Sequence, residues 1–412
     1  MPKNWKIYKL EEVAQLRKEG IKPSDFNGED YIGLEHIGQG DFLLDGIGKA
    51  SDVKSNKSKF VEGDILYGKI RPYFKKVYRP KFSGICSTDI LIINTKNENL
   101  VSQSYLHHLI KTQEFTDKAT ETSSGTKMPR ADWKSLEKWG ISFPPLPEQT
   151  QIANILSAID DKIENNLAIN KTLEDMAMAL YKHWFVDFGP FQDGEFIDSE
   201  LGLIPKGWEV KIIGNVIDTL GGGTPKTTEN SYWENGDILW YSPTDLTRDN
   251  AMFSLDSSKR INNLGLLKSS AKLFPPYSLL MSSRATIGAL TINTIKASTN
   301  QGFITMIPND NMSVYQLYSW TKWNMDLIIS KSNGSTFKEI SKANFRSLEI
   351  VVGQNIELFL RESKNIFDKV ENNIQENQSL TKLRDTLLPK LISGEVRLKE
   401  FREEEDTEIN SA

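Results

Sequence analysis

Asp161-Lys162-Ile163-Glu164-Asn165-Asn166 returns half a chain later as Asp368-Lys369-Val370-Glu371-Asn372-Asn373. Each hexapeptide sits in a long run spaced alternately by four and three. The first run is Ile152, Leu156, Ile159, Ile163, Asn166, Asn170, Leu173, Ala177, Leu180 and Trp184. The second is Phe359, Ser363, Ile366, Val370, Asn373, Asn377, Leu380, Arg384, Leu387 and Leu391. Such spacing is the seam of a coiled coil. About 38 helical residues at 1.5 Å each make a rod of about 57 Å. A single helix cannot bury such a stripe, so the two are expected to pack on each other, antiparallel if a pseudo-twofold axis relates the copies. Ile159, Ile163, Asn166, Asn170 and Leu173 are assigned to one side of this seam, and Ile366, Val370, Asn373, Asn377 and Leu380 to the other. Asparagines in a seam disfavour wrong registers at some loss of stability.

Working outward, weaker pairs repeat in the same order. Lys134-Ser135-Leu136-Glu137 is matched to Arg346-Ser347-Leu348-Glu349, Ser87-Thr88-Asp89 to Ser298-Thr299-Asn300, Gly125-Thr126 to Gly334-Ser335, and Trp5 to Trp208. Together they indicate a duplication. Each copy reads as a mixed globular region followed by a long helix. Asp64-Ile65-Leu66-Tyr67, Asp89-Ile90-Leu91-Ile92-Ile93 and Gly302-Phe303-Ile304-Thr305-Met306-Ile307 are strand candidates, and Tyr105–Ile110 and Tyr315–Trp320 look helical. Pro147 and Glu148 suit a helix start. Gly189-Pro190 and Pro205-Lys206-Gly207 mark a connector between the copies. The boundaries are then residues 1–146 and 206–355 for the globular domains, 147–187 and 356–395 for the helices, 188–205 for the connector and 396–412 for an acidic tail. The fold class is mixed α+β, with two α/β domains separated by two long antiparallel coiled-coil-like helices.

The 412 residues allow two or three domains. With 38% hydrophobic and 25% charged residues, real cores are expected rather than global disorder. The single cysteine, Cys86, can neither pair within the chain nor build a thiolate metal site, which suits a reducing, cytoplasmic setting. The first residues lack the apolar core of a secretion signal, and no apolar run approaches the roughly 20 residues that span a bilayer. A net charge of −5 argues against a protein that coats nucleic acid over its whole surface. Local basic patches remain compatible with it, because Glu400, Glu403, Glu404, Glu405, Asp406 and Glu408 concentrate negative charge in the tail.

The chain resembles the specificity (S) subunit of type I restriction-modification enzymes over nearly its whole length. The resemblance is carried by Pro144-Pro145-Leu146-Pro147-Glu148-Gln149 before Ile152-Ala153 and by the two hexapeptides. Gly222-Gly223-Thr224-Pro225 followed by Tyr232-Trp233 and Ile238-Leu239-Trp240, and Leu387-Leu388-Pro389-Lys390-Leu391-Ile392-Ser393-Gly394, also carry it. Val351-Val352-Gly353-Gln354-Asn355 departs from the Pro-rich lead that the family repeats before its second helix. The resemblance implies two target recognition domains, each reading half of a bipartite sequence in double-stranded DNA. The helices would space the domains and bind two methyltransferase (M) subunits, with restriction (R) subunits completing the complex. It implies no cofactor in this chain; S-adenosylmethionine, ATP and Mg²⁺ belong to the partners. The duplication points the same way. Two different globular domains on a symmetric rod suit an asymmetric two-part target with half-sites roughly 34–36 Å apart.

The strongest candidate for DNA contact is the run Tyr67–Phe82, where Lys69, Arg71, Lys75, Lys76, Arg79 and Lys81 interleave with aromatics. Lys and Arg neutralise phosphates, and the Arg fork also fits guanine O6 and N7. The alternative is a hairpin with a solvated basic face. The corresponding run in the second copy holds Arg284 and Thr286. A loop with Ser124, Thr126, Lys127 and Arg130 answers one with Ser335, Thr336 and Lys338. Small hydroxyl residues and glycine there let backbone N–H groups approach phosphate. Thr224 and Lys226 lie in a third loop, whose glycines suit either DNA contact or a tight turn.

Three catalytic look-alikes fail on chemistry. Phe274-Pro275-Pro276-Tyr277 lacks the acceptor with which an amino-methyltransferase motif holds its target amine. Lys226-Thr227 follows Pro225 where a phosphate-binding loop needs glycine. Asp198 with Glu209 and Lys211 has the spacing of a nuclease triad only by chance, and Trp208-Glu209-Val210 reads better as a first strand. His36, His107, His108 and His183 are scattered, and His183, beside the seam, is expected to pack on a partner or the other helix. The rival readings are a coiled-coil scaffold whose globular domains bind protein and a free-standing methyltransferase or nuclease. The basic run argues against the first, and the lack of a cofactor motif against the second.

Overall fold

The structure, a computed structural model, describes residues 2–125, 127–284, 286–334 and 338–398. Thr126, Ser335, Thr336 and the acidic residues from Glu400 onward therefore lie outside the described residues. The chain divides into two compact units: residues up to Glu164 with those from Gln378 onward, and Asn165–Asn377. Both dividing points fall inside long helices, Leu146–Phe185 of 40 residues and Glu357–Ser393 of 37. At 1.5 Å per residue these are about 60 and 56 Å long. The first helix begins one residue before Pro147, a position where the missing N–H is no loss. Among the described residues no helix is long and apolar enough to cross a membrane.

In the first unit, Lys6–Lys9 pairs antiparallel with Gly140–Phe143, joining the start of the domain to the segment that leads into its helix. A four-stranded antiparallel sheet runs Ala14–Leu16, Ile90–Thr95, Ile65–Gly68, Val77–Tyr78. A five-stranded sheet contains one parallel pair, Asp30–Ile32 beside Gly84–Cys86. Two helices follow, Gln103–Ile110 and Gln113–Glu121, started by Ser102 and Thr112, whose hydroxyls accept from Tyr105 and Phe115 backbone N–H groups. Tyr67, Leu106, Phe115 and Phe143 form the core with Ile152 and Leu156 of the first long helix and Leu388 and Leu391 of the second. Burial there is what holds each helix stripe. Cys86 lies in a buried strand, and burial pushes its thiol up to about 12.

The second unit repeats this plan. Glu209–Ile212 pairs with Glu349–Val352, a five-stranded sheet contains Phe303–Ile307 and Leu279–Ser282, and Ile238–Tyr241 runs parallel to Ala297–Thr299. Ser313 starts the helix Val314–Trp323. Phe345, Phe359 and Phe367 are fully buried with Trp208 and Phe185 nearby.

The repeated strands correct two sequence matches. Ile32 lies beside Cys86 and Tyr241 beside Thr299, and the next residues, Ser87 and Asn300, each donate a backbone N–H at 3.0 Å to Ile32 and Tyr241. Ser87 therefore corresponds to Asn300, not Ser298. Likewise, Leu136 and Phe345 fill the same place, at the buried ends of the short helices Trp133–Leu136 and Lys342–Arg346, so Leu348 does not answer Leu136. Backbone pairing, not the shared Ser-Leu-Glu letters, sets the register.

Among the seam residues, Ile159, Ile163, Asn166, Val370 and Asn373 are buried, and Asn170, Leu173, Ile366, Asn377 and Leu380 are half-buried. Within the second unit the Asn166 amide donates to Asn377 and Glu376 at 2.8 Å, and Asn373 to Asn170 at 2.8 Å. Phe185 meets Phe359 edge-on at 4.9 Å. Partners thus run in opposite order along the two helices. Within the first unit Arg384 lies 3.5 Å from Asp160. His183 does not pack on the other helix: it is exposed, and its ring occupies the space that a side chain at Gly189 would need.

Candidate nucleic-acid interface

In the first unit the strand Ile65–Gly68 delivers its basic run to a second loop. The Lys69 carbonyl accepts from Ala131 N at 2.9 Å, and Arg71 N donates to the Pro129 carbonyl at 2.7 Å. Ile70 bridges Arg130, which exchanges both backbone hydrogen bonds with Ser124. The two predicted segments are therefore one surface, bearing Lys69, Arg71, Lys75, Ser124, Lys127 and Arg130. Arg71 and Lys75 flank the short turn Pro72–Phe74, both in left-handed conformation with φ of 50° and 49°. The guanidinium of Arg71 lies 5.8 Å from the Phe74 ring centre, and exposed Tyr73 packs edge-on against the same ring at 4.8 Å. Lys69 donates to the Thr88 carbonyl at 2.8 Å and sits 3.3 Å from Asp89, whose carboxylate is also 3.7 Å from Arg130. Arg71, Lys75 and Lys127 have no ion pair among the described residues.

In the rest of the same run Lys76 and Arg79 turn into the domain, and Lys81 stays exposed while paired with the long helix. Lys76 donates to the carbonyls of Leu34, at 2.6 Å, and Ile37, and burial lowers its pKa. Arg79 is held by the Gly63 carbonyl at 3.2 Å and Ser104 at 2.7 Å, and burial lowers its pKa too. Lys81 donates to Asp161 and Glu164 of the long helix, each at 2.8 Å, and the bond to Asp161 leads in raising its pKa. These three cations satisfy partners far away in sequence, which the composition of the run does not reveal.

The second unit builds the same loop pairing from different residues. The Ser283 carbonyl accepts from Ile340 N at 2.9 Å, Arg284 bridges Glu339, and Glu339 exchanges hydrogen bonds with Asn333. Arg284 pairs with the Glu339 carboxylate at 2.9 Å, both half exposed. Exposed Thr286 and Lys338 lie nearby in sequence on these loops. Sequence reading misses Glu339, although it follows Gly334 at the distance that separates Arg130 from Gly125. Thr224 donates to Gln301 at 2.7 Å, and Lys226 is exposed. The glycines before them have a fold reason. A Cβ at Gly222 would come within 2.2 Å of the Thr299 carbonyl, and one at Gly223 within 2.1 Å of Ser270.

Comparison with known proteins gives one consistent result. The family model for the type I restriction modification DNA specificity domain matches twice, over residues 2–175 and 205–382. The chain is 27% identical to the type I restriction enzyme HindI specificity subunit of Haemophilus influenzae, over 95% of this chain and 100% of that one. It is also 27% identical to the MjaIX specificity subunit of Methanocaldococcus jannaschii, over 97% of this chain and 95% of that one. Its fold is similar to the crystal structure of the type I restriction-modification S subunit from M. genitalium. The TM-score is 0.58 at 16% identity, over 94% of this chain and 96% of that one.

Proposed function

The chain belongs to the family of DNA specificity subunits of type I restriction-modification systems, and from that premise we propose how its parts divide the work. As a specificity subunit it recognises DNA and acts with the other subunits of such a system; it is the recognition component, not an enzyme. Each globular domain reads one half of a bipartite, asymmetric target in double-stranded DNA. The two long helices form an antiparallel coiled-coil-like pair with pseudo-twofold symmetry, which sets the spacer and presents equivalent faces to two methyltransferase subunits. Restriction subunits complete the assembly. S-adenosylmethionine, ATP and Mg²⁺ act on those partners, and the setting is the cytoplasm.

The observation that carries this reading is the same loop pairing, Ile70–Arg130–Ser124 and Arg284–Glu339–Asn333, built twice with different side chains. A common scaffold with different loop residues is what reading two unlike half-sites requires. Lys69, Arg71, Lys75, Ser124, Lys127 and Arg130 form the surface of the first domain, with Thr126 between them in sequence. Thr224, Lys226, Arg284, Thr286 and Lys338 serve the second, together with Ser335 and Thr336. Lys76 and Arg79 support the first surface from inside the domain, and exposed Lys81 stands with the residues offered to phosphate.

Domain exchange tests the division. Replacing residues 206–355 with the matching segment of a relative, in the assembled complex, is expected to change one half-site and leave the other. A change in both half-sites would refute independent reading.

A further inference from the structure

Glu339 is out of place on a surface that meets phosphates. It takes the bridge position that Arg130 takes in the first unit, so where one domain presents a cation the other presents a carboxylate. A carboxylate near phosphate is repelled, and an exposed ion pair adds little to stability. Neither backbone affinity nor folding accounts for it. Base edges do: a carboxylate accepts from cytosine N4, and an Arg fork donates to guanine O6 and N7.

The surroundings hold both groups ready. Arg284 and Glu339 are partners in a single antiparallel β-bridge, and Ser283 beside them donates its backbone N–H to the Gly302 carbonyl at 2.8 Å. The stem of Arg284 lies against Gly302, where a Cβ would stand 3.4 Å from its Cγ. The two charged ends remain 44% and 48% exposed, open to a ligand. Side chains on paired backbone are aimed more accurately than those on free loops. The major groove is where these base edges are displayed.

We infer that Arg284 and Glu339 form a base-reading pair that recognises a G·C position in the half-site bound by the second domain, Arg284 donating to guanine and Glu339 accepting from cytosine N4. This rests on the proposed role of that domain as a DNA reader. The ion pair keeps each side chain oriented before binding, and on the duplex each exchanges part of that contact for its base.

The test uses the complex assembled with its methyltransferase partner and a library in which the second half-site is randomised. Glu339→Gln and Arg284→Lys are surface substitutions of similar size, and the selection for the first half-site reports whether each variant is folded. The expected result is relaxation at one G·C position, with discrimination falling roughly ten- to a hundred-fold and the first half-site unchanged. Unchanged selection in both variants would overturn the inference. So would uniform weakening across all sequences with a shallower salt dependence, the mark of a phosphate contact. A wild-type complex that selects no bipartite motif would instead overturn the role of the domain itself, and the pair with it.

Discussion

The side-chain amide of Asn373 donates to Oδ1 of Asn170 at 2.8 Å, and that of Asn166 donates to Oδ1 of Asn377 at 2.8 Å. The arrangement is reciprocal across the repeated hexapeptides. The Oδ1 atoms of Asn166 and Asn373 are buried with no hydrogen-bond partner among the described residues. Such a cluster is a poor way to gain stability, since unmatched buried acceptors cost about 1–3 kcal/mol each. Its expected role is to reject shifted pairings, which would place an amide opposite leucine.

Replacing Asn166, Asn170, Asn373 and Asn377 together by leucine should therefore leave thermal stability equal or raise it by several degrees. It should also admit targets with more than one gap length. Melting curves and a methylation map check the two halves of this expectation. A single retained gap length would show that register is set elsewhere.

A second buried polar site lies where the first helix begins. Glu148 accepts from Arg397 through both oxygens at 2.9 Å and from the Trp5 indole at 3.2 Å, and all three residues are buried. Removing one partner strands a buried charge, so Glu148→Ala should cost about 3–5 kcal/mol in urea unfolding. The double change Glu148→Leu with Arg397→Met should recover much of that, because no charge remains unpaired.

A coiled-coil stripe is local, so the helices and Asn166 or Asn373 are legible from spacing alone. The pairing of Lys76, Arg79 and Lys81 is not, because Leu34, Ser104 and Asp161 approach them only in the folded chain. Glu339 is hidden for another reason: the loops resemble each other in small and basic residues, and the informative position is the one where the charge reverses. Letters alone match Ser87 two residues out because strand letters repeat easily, whereas ladder pairing does not slip without turning side chains over.

His108 gives a pH signature. It is buried, with Nε2 on Ser157 at 2.9 Å, and burial first, then the charge of Lys111, holds its pKa well below the usual imidazole range. The unfolded chain takes up a proton below about pH 6.5 while the folded one does not. Stability is therefore full above that pH and falls on acidification, by up to about 1.4 kcal/mol per pH unit from this group. His108→Gln should flatten the slope of unfolding free energy between about pH 6.5 and 5. An unchanged slope would assign the acid sensitivity to other groups.

Arg71, Lys75 and Lys127 are expected to meet phosphates. Changing each to glutamine in the assembled complex should weaken all sequences alike. The slope of log affinity against log salt should fall by about 0.9 for each phosphate no longer neutralised. Lys76→Met should act differently, lowering stability and leaving that slope intact, since Lys76 serves carbonyls inside its domain. Titrations at several salt concentrations distinguish the two behaviours.

Two recognition domains in one chain should read one two-part target. The decisive experiment is a methylation map of a host lacking adenine methylation, in which this chain is expressed with its methyltransferase partner. A single gapped motif is expected, methylated on adenine in both strands and lost when this chain is omitted. A soluble, stoichiometric complex that leaves the genome unmethylated, or methylates an ungapped motif, would contradict a two-domain reader.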